Sequence, residues 1–113
     1  MKSVNRRRDL HVNDAAQLLD EFTVLDVRQP EELLGELGYI ADSYNVPLNQ
    51  LLAGDLPVSI DADAPLLVVC HSGARSAYAA SALISLGFSR VHNLSGGMVA
   101  WNACGLPTAR QAG

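Results

Sequence analysis

The sequence feature that most limits the fold of this 113-residue chain is an unbroken apolar run, Leu66, Leu67, Val68 and Val69. A strand with one face in water alternates apolar and polar residues, whereas a strand that is apolar throughout must be covered on both faces. We therefore expect residues 66–69 to form the central strand of a sheet that has helices on both sides.

Strand and helix patterns alternate along the rest of the chain. Strand patterns cover residues 10–12, 23–28, 44–46 and 91–94, and helix patterns cover residues 13–22, 29–34, 48–53, 76–86 and 98–104. Asn13 or Asp14 is the expected N-cap of the first helix. Strand followed by helix, repeated several times, predicts an α/β fold with a mostly parallel sheet and helices on both faces.

Length and composition predict one domain. Hydrophobic residues make up 49% of the sequence, which is enough for a single core. We expect a basic N-terminal tail at residues 1–8, the domain at residues 9–108 and a C-terminal tail at residues 109–113. The one basic run consists of Arg6, Arg7 and Arg8, which we interpret as part of a solvated tail and not as an anionic docking patch.

Charge and hydropathy exclude two classes of partner. The net charge is −4, so the chain lacks the broad cationic surface that nucleic acid or an anionic membrane would need. No segment approaches the roughly 18 apolar residues that span a bilayer. The basic start is followed by polar residues and not by the apolar region of a signal peptide. We therefore expect a cytoplasmic protein with neither nucleic acid nor a membrane as partner.

The two cysteines, Cys70 and Cys104, lie far apart and form no Cys-x-x-Cys pair. They are too few for a disulfide framework or a closed zinc site. We expect at least one free thiol, no metal site and no cofactor. Cys104 lies just before Gly105, where a small residue suits a helix end, and this structural role is favoured over that of a resolving thiol for Cys70.

Cys70 opens a loop between the central strand and the next predicted helix. Ligands of parallel α/β sheets bind beyond the carboxyl ends of the strands, which is where Cys70 lies. Backbone N–H groups at a helix start can converge on an anion, Gly73 permits a tight turn, and Arg75 adds a fixed positive charge. The candidate site comprises Cys70 and the six residues after it: His71, Ser72, Gly73, Ala74, Arg75 and Ser76.

This loop predicts nucleophilic sulfur chemistry, because the thiolate is the reactive form of cysteine and the loop groups favour it. The alternative is a buried structural cysteine at a strand end, but an ordinary turn has no need of these residues in this order. The expected reaction is ping-pong. The Cys70 thiolate takes the outer sulfur of an anionic donor such as thiosulfate, and a second nucleophile removes that sulfur from the persulfide.

Residues 70–76 resemble the active-site loop of the single-domain rhodanese family of sulfurtransferases. Three other segments resemble elements of that family. Residues 25–32 resemble its Asp-x-Arg-x-x-x-Glu element, residues 44–48 its Asn-hydrophobic-Pro-Leu element, and residues 94–101 its Gly-Gly-x-x-x-Trp element. Each pattern alone is weak, but four in the matching order form a specific signal.

The resemblance implies a five-stranded parallel α/β sheet, Cys70 as the persulfide carrier, and Arg75 as a contact for the substrate anion. It also implies that Asp26 and Arg28 flank the site, although these two residues could equally form a structural ion pair at a strand end. The chain departs from the family at residues 38–43, which lack a histidine and a glycine that many members have.

Other functions compete with this interpretation. Dual-specificity phosphatases use a related fold and a Cys-x5-Arg loop, so a phosphatase or an arsenate reductase is one alternative. Four residues separate Cys70 from Arg75, which makes a tighter ring suited to one sulfur atom. We therefore expect a thiosulfate sulfurtransferase whose acceptor is cyanide in vitro and a thiol or protein in vivo. A persulfide relay and a partner-binding module without turnover are further alternatives.

Overall fold

The computed structural model describes residues 7–56 and 59–110. Its strands are β1 (Arg8–Leu10), β2 (Thr23–Asp26), β3 (Tyr44–Asn45), β4 (Leu66–Val69) and β5 (Val91–Leu94). They form one five-stranded sheet in the order β1-β5-β4-β2-β3. Every neighbouring pair is parallel. The predicted fold class, a five-stranded parallel α/β sheet, is confirmed.

The α-helices are α1 (Val12–Gln17), α2 (Leu48–Leu52), α3 (Ala74–Ser85) and α4 (Gly97–Ala103). Short 3₁₀ helices cover Leu19–Glu21 and Pro30–Leu34. The first predicted helix is therefore split into α1 and a 3₁₀ turn, and the second is a 3₁₀ helix.

The strand β4 is the central strand, as its apolar run predicted. All four of its side chains are fully buried. Leu66 and Val68 face one side of the sheet, which is covered by α2 and α3. Leu67 and Val69 face the opposite side, against α1 and α4. Alternate residues of β4 thus belong to two separate cores, which explains why no position in the strand is polar.

The chain enters the sheet earlier than predicted. The first strand is Arg8–Leu10 and not residues 10–12. The predicted cap at Asn13 or Asp14 is wrong, because His11 caps α1 and its Nδ1 accepts a hydrogen bond from the Asn13 N–H at 3.1 Å. Histidine is not among the preferred N-cap residues, so its position gave no local signal.

Both ends of the described chain contact the fold. Arg8 begins β1, and Arg7 lies 3.4 Å from Asp9, whereas Arg6 of the basic run lies outside the described residues. Near the other end, Ala109 forms an isolated antiparallel bridge with Tyr39. Across residues 7–56 and 59–110, no helix combines the length and hydropathy that a membrane crossing needs.

Candidate active site

Cys70 directly follows β4 and is 1% exposed. Its Sγ accepts a hydrogen bond from the Gly73 N–H at 3.0 Å. The Ser76 hydroxyl oxygen lies 3.2 Å from the same sulfur. An N–H group and an O–H group are therefore both placed to donate to a sulfur anion, which is what a nucleophilic thiolate needs.

The loop turns into α3 at Gly73, whose φ is +108°. The helix begins at Ala74, two residues before the predicted start. Arg75 and Ser76 consequently lie in the first helical turn, at the positive end of the helix dipole. A Cβ at Gly73 would lie 3.2 Å from the Gly96 nitrogen, so glycine permits both the left-handed turn and this close approach.

The side chains of the loop divide between solvent and interior. His71, Ser72 and Ala74 are exposed, whereas Ser76 is buried beside Cys70. The side chains of His71 and Ser72 are therefore open to solvent, whereas the Cys70 sulfur is buried beneath the loop.

The start of α4 holds the backbone of the loop in place. The Met98 N–H donates to the Cys70 carbonyl at 2.9 Å, and the Val99 N–H donates to the His71 carbonyl at 3.0 Å. A Cβ on Gly97 would lie 2.5 Å from the first of these carbonyl oxygens and 2.6 Å from the second. The sequence predicted only a turn at Gly97. The signal for the close approach was the pair Gly96-Gly97 directly before an apolar helix.

Arg75 forms a two-point ion pair with Glu32. Its Nη1 donates to Glu32 Oε2 at 2.7 Å and its Nη2 donates to Glu32 Oε1 at 2.8 Å. The hydrogen bond from Arg75 is the main reason why the pKa of Glu32 falls from 4.5 to about 2, although partial burial opposes it. The pKa of Arg75 is raised in return. Glu32 was not predicted as a site residue, although it is the glutamate of the Asp-x-Arg-x-x-x-Glu element.

Asp26 and Arg28 form a second ion pair, and this one is buried. Arg28 Nη2 donates to Asp26 Oδ2 at 2.7 Å, and both side chains are 1% exposed. Arg28 also donates to the Gly38 carbonyl at 2.8 Å, and Asn45 donates to the Asp26 carbonyl at 3.0 Å and to that of Arg28 at 2.8 Å. The pair thereby joins the end of β2 to β3 and to the chain after the Pro30–Leu34 turn.

Polar side chains continue from the sulfur to the edge of the sheet. The Ser76 hydroxyl hydrogen-bonds with Asn93 Oδ1. Asn93 Nδ2 donates to Asp9 Oδ1 at 3.0 Å. Ser76 is 0% and Asn93 5% exposed. Neither Asn93 nor Asp9 was predicted as a site residue, because each lies within a strand and carries no motif.

Cys70 and Cys104 are both free thiols, so the prediction of at least one free thiol is confirmed. Cys104 is exposed at the C-cap of α4. The opposite end of α4 contacts the Cys70 loop, so Cys104 lies about 10 Å further along the helix. In the part of the chain that the structure describes, no three His, Cys, Asp or Glu side chains are grouped to hold a metal ion.

The sequence of this chain matches the family model of the rhodanese-like domain over residues 11–104. A thiosulfate sulfurtransferase GlpE from Pseudomonas fluorescens is 37% identical over 92 residues, which cover 80% of this chain and 81% of that protein. An uncharacterised Synechocystis protein, slr1261, is 38% identical over 92 residues, but this match covers 80% of the chain and only 49% of that relative.

Solved structures share the fold. A rhodanese-related protein from Thermoplasma volcanium superposes with a TM-score of 0.80 at 34% identity, covering 92% of this chain and 99% of that one. A Rhodopseudomonas palustris protein of unknown function, described as a possible tyrosine phosphatase, superposes with a TM-score of 0.79 at 26% identity, covering 91% and 85%.

Proposed function

This chain belongs to the rhodanese-like sulfurtransferase family, and we propose that it takes a sulfane sulfur from an anionic donor such as thiosulfate onto Cys70 and passes it to a thiophilic acceptor. The observation that carries the proposal is the environment of Cys70 Sγ, which has the Gly73 N–H at 3.0 Å and the Ser76 hydroxyl at 3.2 Å. Both can stabilise the thiolate that begins the reaction.

The proposed cycle has two half-reactions. The Cys70 thiolate attacks the outer sulfur of thiosulfate, the S–S bond of the donor breaks, and sulfite leaves with the electron pair of that bond. The product is a Cys70 persulfide. A thiolate or cyanide then attacks the outer sulfur, which restores the Cys70 thiolate and releases a persulfide or thiocyanate. No external oxidant or reductant is needed in either half-reaction.

Arg75 is the proposed contact for the anionic donor. A guanidinium carries five N–H donors, and the two bonds to Glu32 use one hydrogen on each terminal nitrogen. Three donors remain for an anion. Glu32 meanwhile fixes the plane of the guanidinium, so these donors keep one orientation.

Asp26 and Arg28 are proposed to support the backbone next to the site without contacting the donor. Both side chains are buried and each is hydrogen-bonded to the other. Asp26 is the last residue of β2 and Arg28 lies just beyond it. Val27, between them, donates its N–H to the carbonyl of Val69, the residue before Cys70. Their role in this proposal is to hold the ends of β2 and β3, not to touch the donor.

Intact-mass analysis after thiosulfate treatment tests the proposal. The wild type is expected to gain one sulfur atom, and Cys70→Ser is expected to gain none. Cys104→Ser is the matched control, because it removes the exposed thiol and should still gain the sulfur. The proposal fails if the wild type gains no sulfur or if Cys70→Ser gains as much.

The phosphatase alternative is tested on the same proteins with an aryl phosphate. The four-residue spacing between Cys70 and Arg75 makes a ring that is small for a tetrahedral phosphate, so we expect no turnover. Aryl-phosphate hydrolysis that is lost in Cys70→Ser would overturn the sulfurtransferase assignment.

A further inference from the structure

Ser76 has more acceptors than its hydroxyl can serve. Cys70 Sγ and the Gly73 carbonyl oxygen each lie 3.2 Å from Ser76 Oγ, and Asn93 Oδ1 is also in hydrogen-bonding contact with it. A hydroxyl group carries one proton. The sulfur and the asparagine oxygen therefore compete for the same donor.

The orientation of the Asn93 amide is set from the edge of the sheet. Asn93 and Asp9 are register partners on β5 and β1, so their side chains lie on the same face. Asn93 Nδ2 donates to Asp9 Oδ1 at 3.0 Å. With its nitrogen held by Asp9, the amide must present its oxygen to Ser76.

The group to which the Ser76 hydroxyl donates depends on whether Cys70 is a thiol or a thiolate. When Cys70 is a thiol, its S–H can donate to Ser76 Oγ while the hydroxyl donates to Asn93. When the thiol loses its proton to water, the sulfur keeps the Gly73 N–H as a donor. The anion can gain the Ser76 hydroxyl as a second donor only if that hydroxyl turns away from Asn93. The buried amide oxygen then loses its partner, which is costly because Asn93 is 5% exposed.

We infer that Asn93, oriented by Asp9, is a positioning residue that acts through Ser76 and disfavours the bare thiolate of Cys70. This inference rests on the proposed role of Cys70 as nucleophile. The Cys70 loop also carries Arg75 and the titratable His71. Arg75 in turn interacts with Cys70, Asp26 and Glu32, and Glu32 interacts with Arg28. The α4 residues that contact the loop are uncharged, and all of these groups are retained when Asn93 is replaced.

The test measures the rate at which iodoacetamide alkylates Cys70 as a function of pH, read by peptide mass. Asn93→Leu removes the amide, keeps the branching of the side chain and frees the Ser76 proton for the sulfur. We expect the midpoint of the pH profile to fall by about 0.5 to 1 unit, since one neutral hydrogen bond is at stake. Asn102→Leu, a half-buried amide outside this set of residues, should leave the midpoint unchanged.

A double-mutant cycle separates action through Ser76 from a direct effect. Ser76→Ala is expected to raise the midpoint, and adding Asn93→Leu to it should cause no further change. The inference is overturned if Asn93→Leu leaves the midpoint unchanged or raises it, or if its effect persists without Ser76.

Two variants of Asp9 make the test independent of the folding of Asn93→Leu. Asp9→Ala and Asp9→Asn remove the same charge, but only Asp9→Ala leaves the Asn93 nitrogen without its acceptor. The amide can then turn, so the midpoint should be lower in Asp9→Ala than in Asp9→Asn. Equal midpoints would contradict the inference. Alkylation requires no sulfur donor, so these results are separate from the mass test of sulfur transfer.

Discussion

Glu32 and Arg75 meet across 43 residues of sequence in a two-point ion pair that closes one side of the Cys70 loop. The Glu32 carboxylate is fixed by a second contact, because the Gln29 N–H donates to its Oε2 at 2.7 Å. This bond is part of a capping box at the start of the Pro30–Leu34 turn. The guanidinium of Arg75 is therefore oriented by a carboxylate that is itself fixed. This relationship leads to the first two predictions.

Glu32→Gln should reduce stability in a pH-dependent manner. The fold lowers the pKa of Glu32 from 4.5 to about 2, so its contribution is present above pH 4.5 and is lost as the pH falls toward 2. Urea unfolding should therefore give the wild type a higher free energy of unfolding than the variant at neutral pH. The difference should shrink as the pH falls from 4.5 toward 2. Glu31→Gln, at an exposed neighbour, is the control. A difference that does not change between pH 5 and pH 2 would contradict the assignment.

Arg75→Lys should raise the KM for thiosulfate about tenfold, with a smaller change in kcat. Lysine keeps the charge, but its single ammonium group cannot bind Glu32 at two points and also donate to an anion. The loss of one hydrogen bond to a charged group costs about 1.5 kcal/mol or more. Steady-state kinetics with cyanide as acceptor measure both constants. Arg90→Lys, at an exposed residue before β5, should have wild-type kinetics. An unchanged KM in Arg75→Lys would remove Arg75 from the donor site.

Gly97→Ala should destabilise the fold by about 3 kcal/mol or more and abolish sulfur loading of Cys70. Its Cβ would overlap backbone oxygens at 2.5 and 2.6 Å that cannot move without the loop. Gly105→Ala is the matched control, because its φ of +69° is close to the +58° of Gly97 but its Cβ would meet nothing within 4 Å. Backbone strain alone should cost Gly105→Ala about 1 to 2 kcal/mol. Equal losses in the two variants would show that the close approach is unimportant.

Arg28→Met should cost about 3 to 5 kcal/mol of stability, because it leaves the Asp26 carboxylate buried without its partner. If Arg28→Met remains folded at low temperature, its KM for thiosulfate should be close to that of the wild type. The reason is that Arg28 is proposed to support the site and not to bind the donor. Arg7→Met, which breaks an exposed ion pair, serves as the stability control. A large rise in KM would instead indicate that Arg28 contacts the donor.

Stability should fall as the pH drops below about 6.5, and His92 should account for part of that fall. Burial lowers the pKa of His92 below 6.5, the Leu66 carbonyl opposes this shift, and Arg8 adds to it. The unfolded chain therefore binds a proton before the folded chain does. Thermal unfolding of His92→Gln should show a weaker pH dependence in this range than that of the wild type. Identical pH dependence in His92→Gln and the wild type would exclude this role.

Local patterns were sufficient for the central elements of the fold. The predicted bounds of β4 and β5 agree with the structure at both ends. The segment that forms β4 is apolar and buried throughout, which leaves its pattern unambiguous, whereas β5 carries His92 and Asn93 between its apolar ends. The predicted position of the edge strand β1 was two residues too late in the chain, because a mostly exposed strand carries little hydrophobic signal.

The sequence by itself determined the α/β fold and the position of Cys70 at the end of the central strand, because hydrophobic periodicity and glycine punctuation act over a few residues. Only the tertiary structure decided which side chains meet there. Glu32 reaches Arg75, Asp9 reaches Asn93 across 84 residues, and Gly97 packs on the Cys70 carbonyl. These contacts depend on strand order, register and the placement of α4 over the loop, and such long-range geometry leaves no periodic trace in the chain.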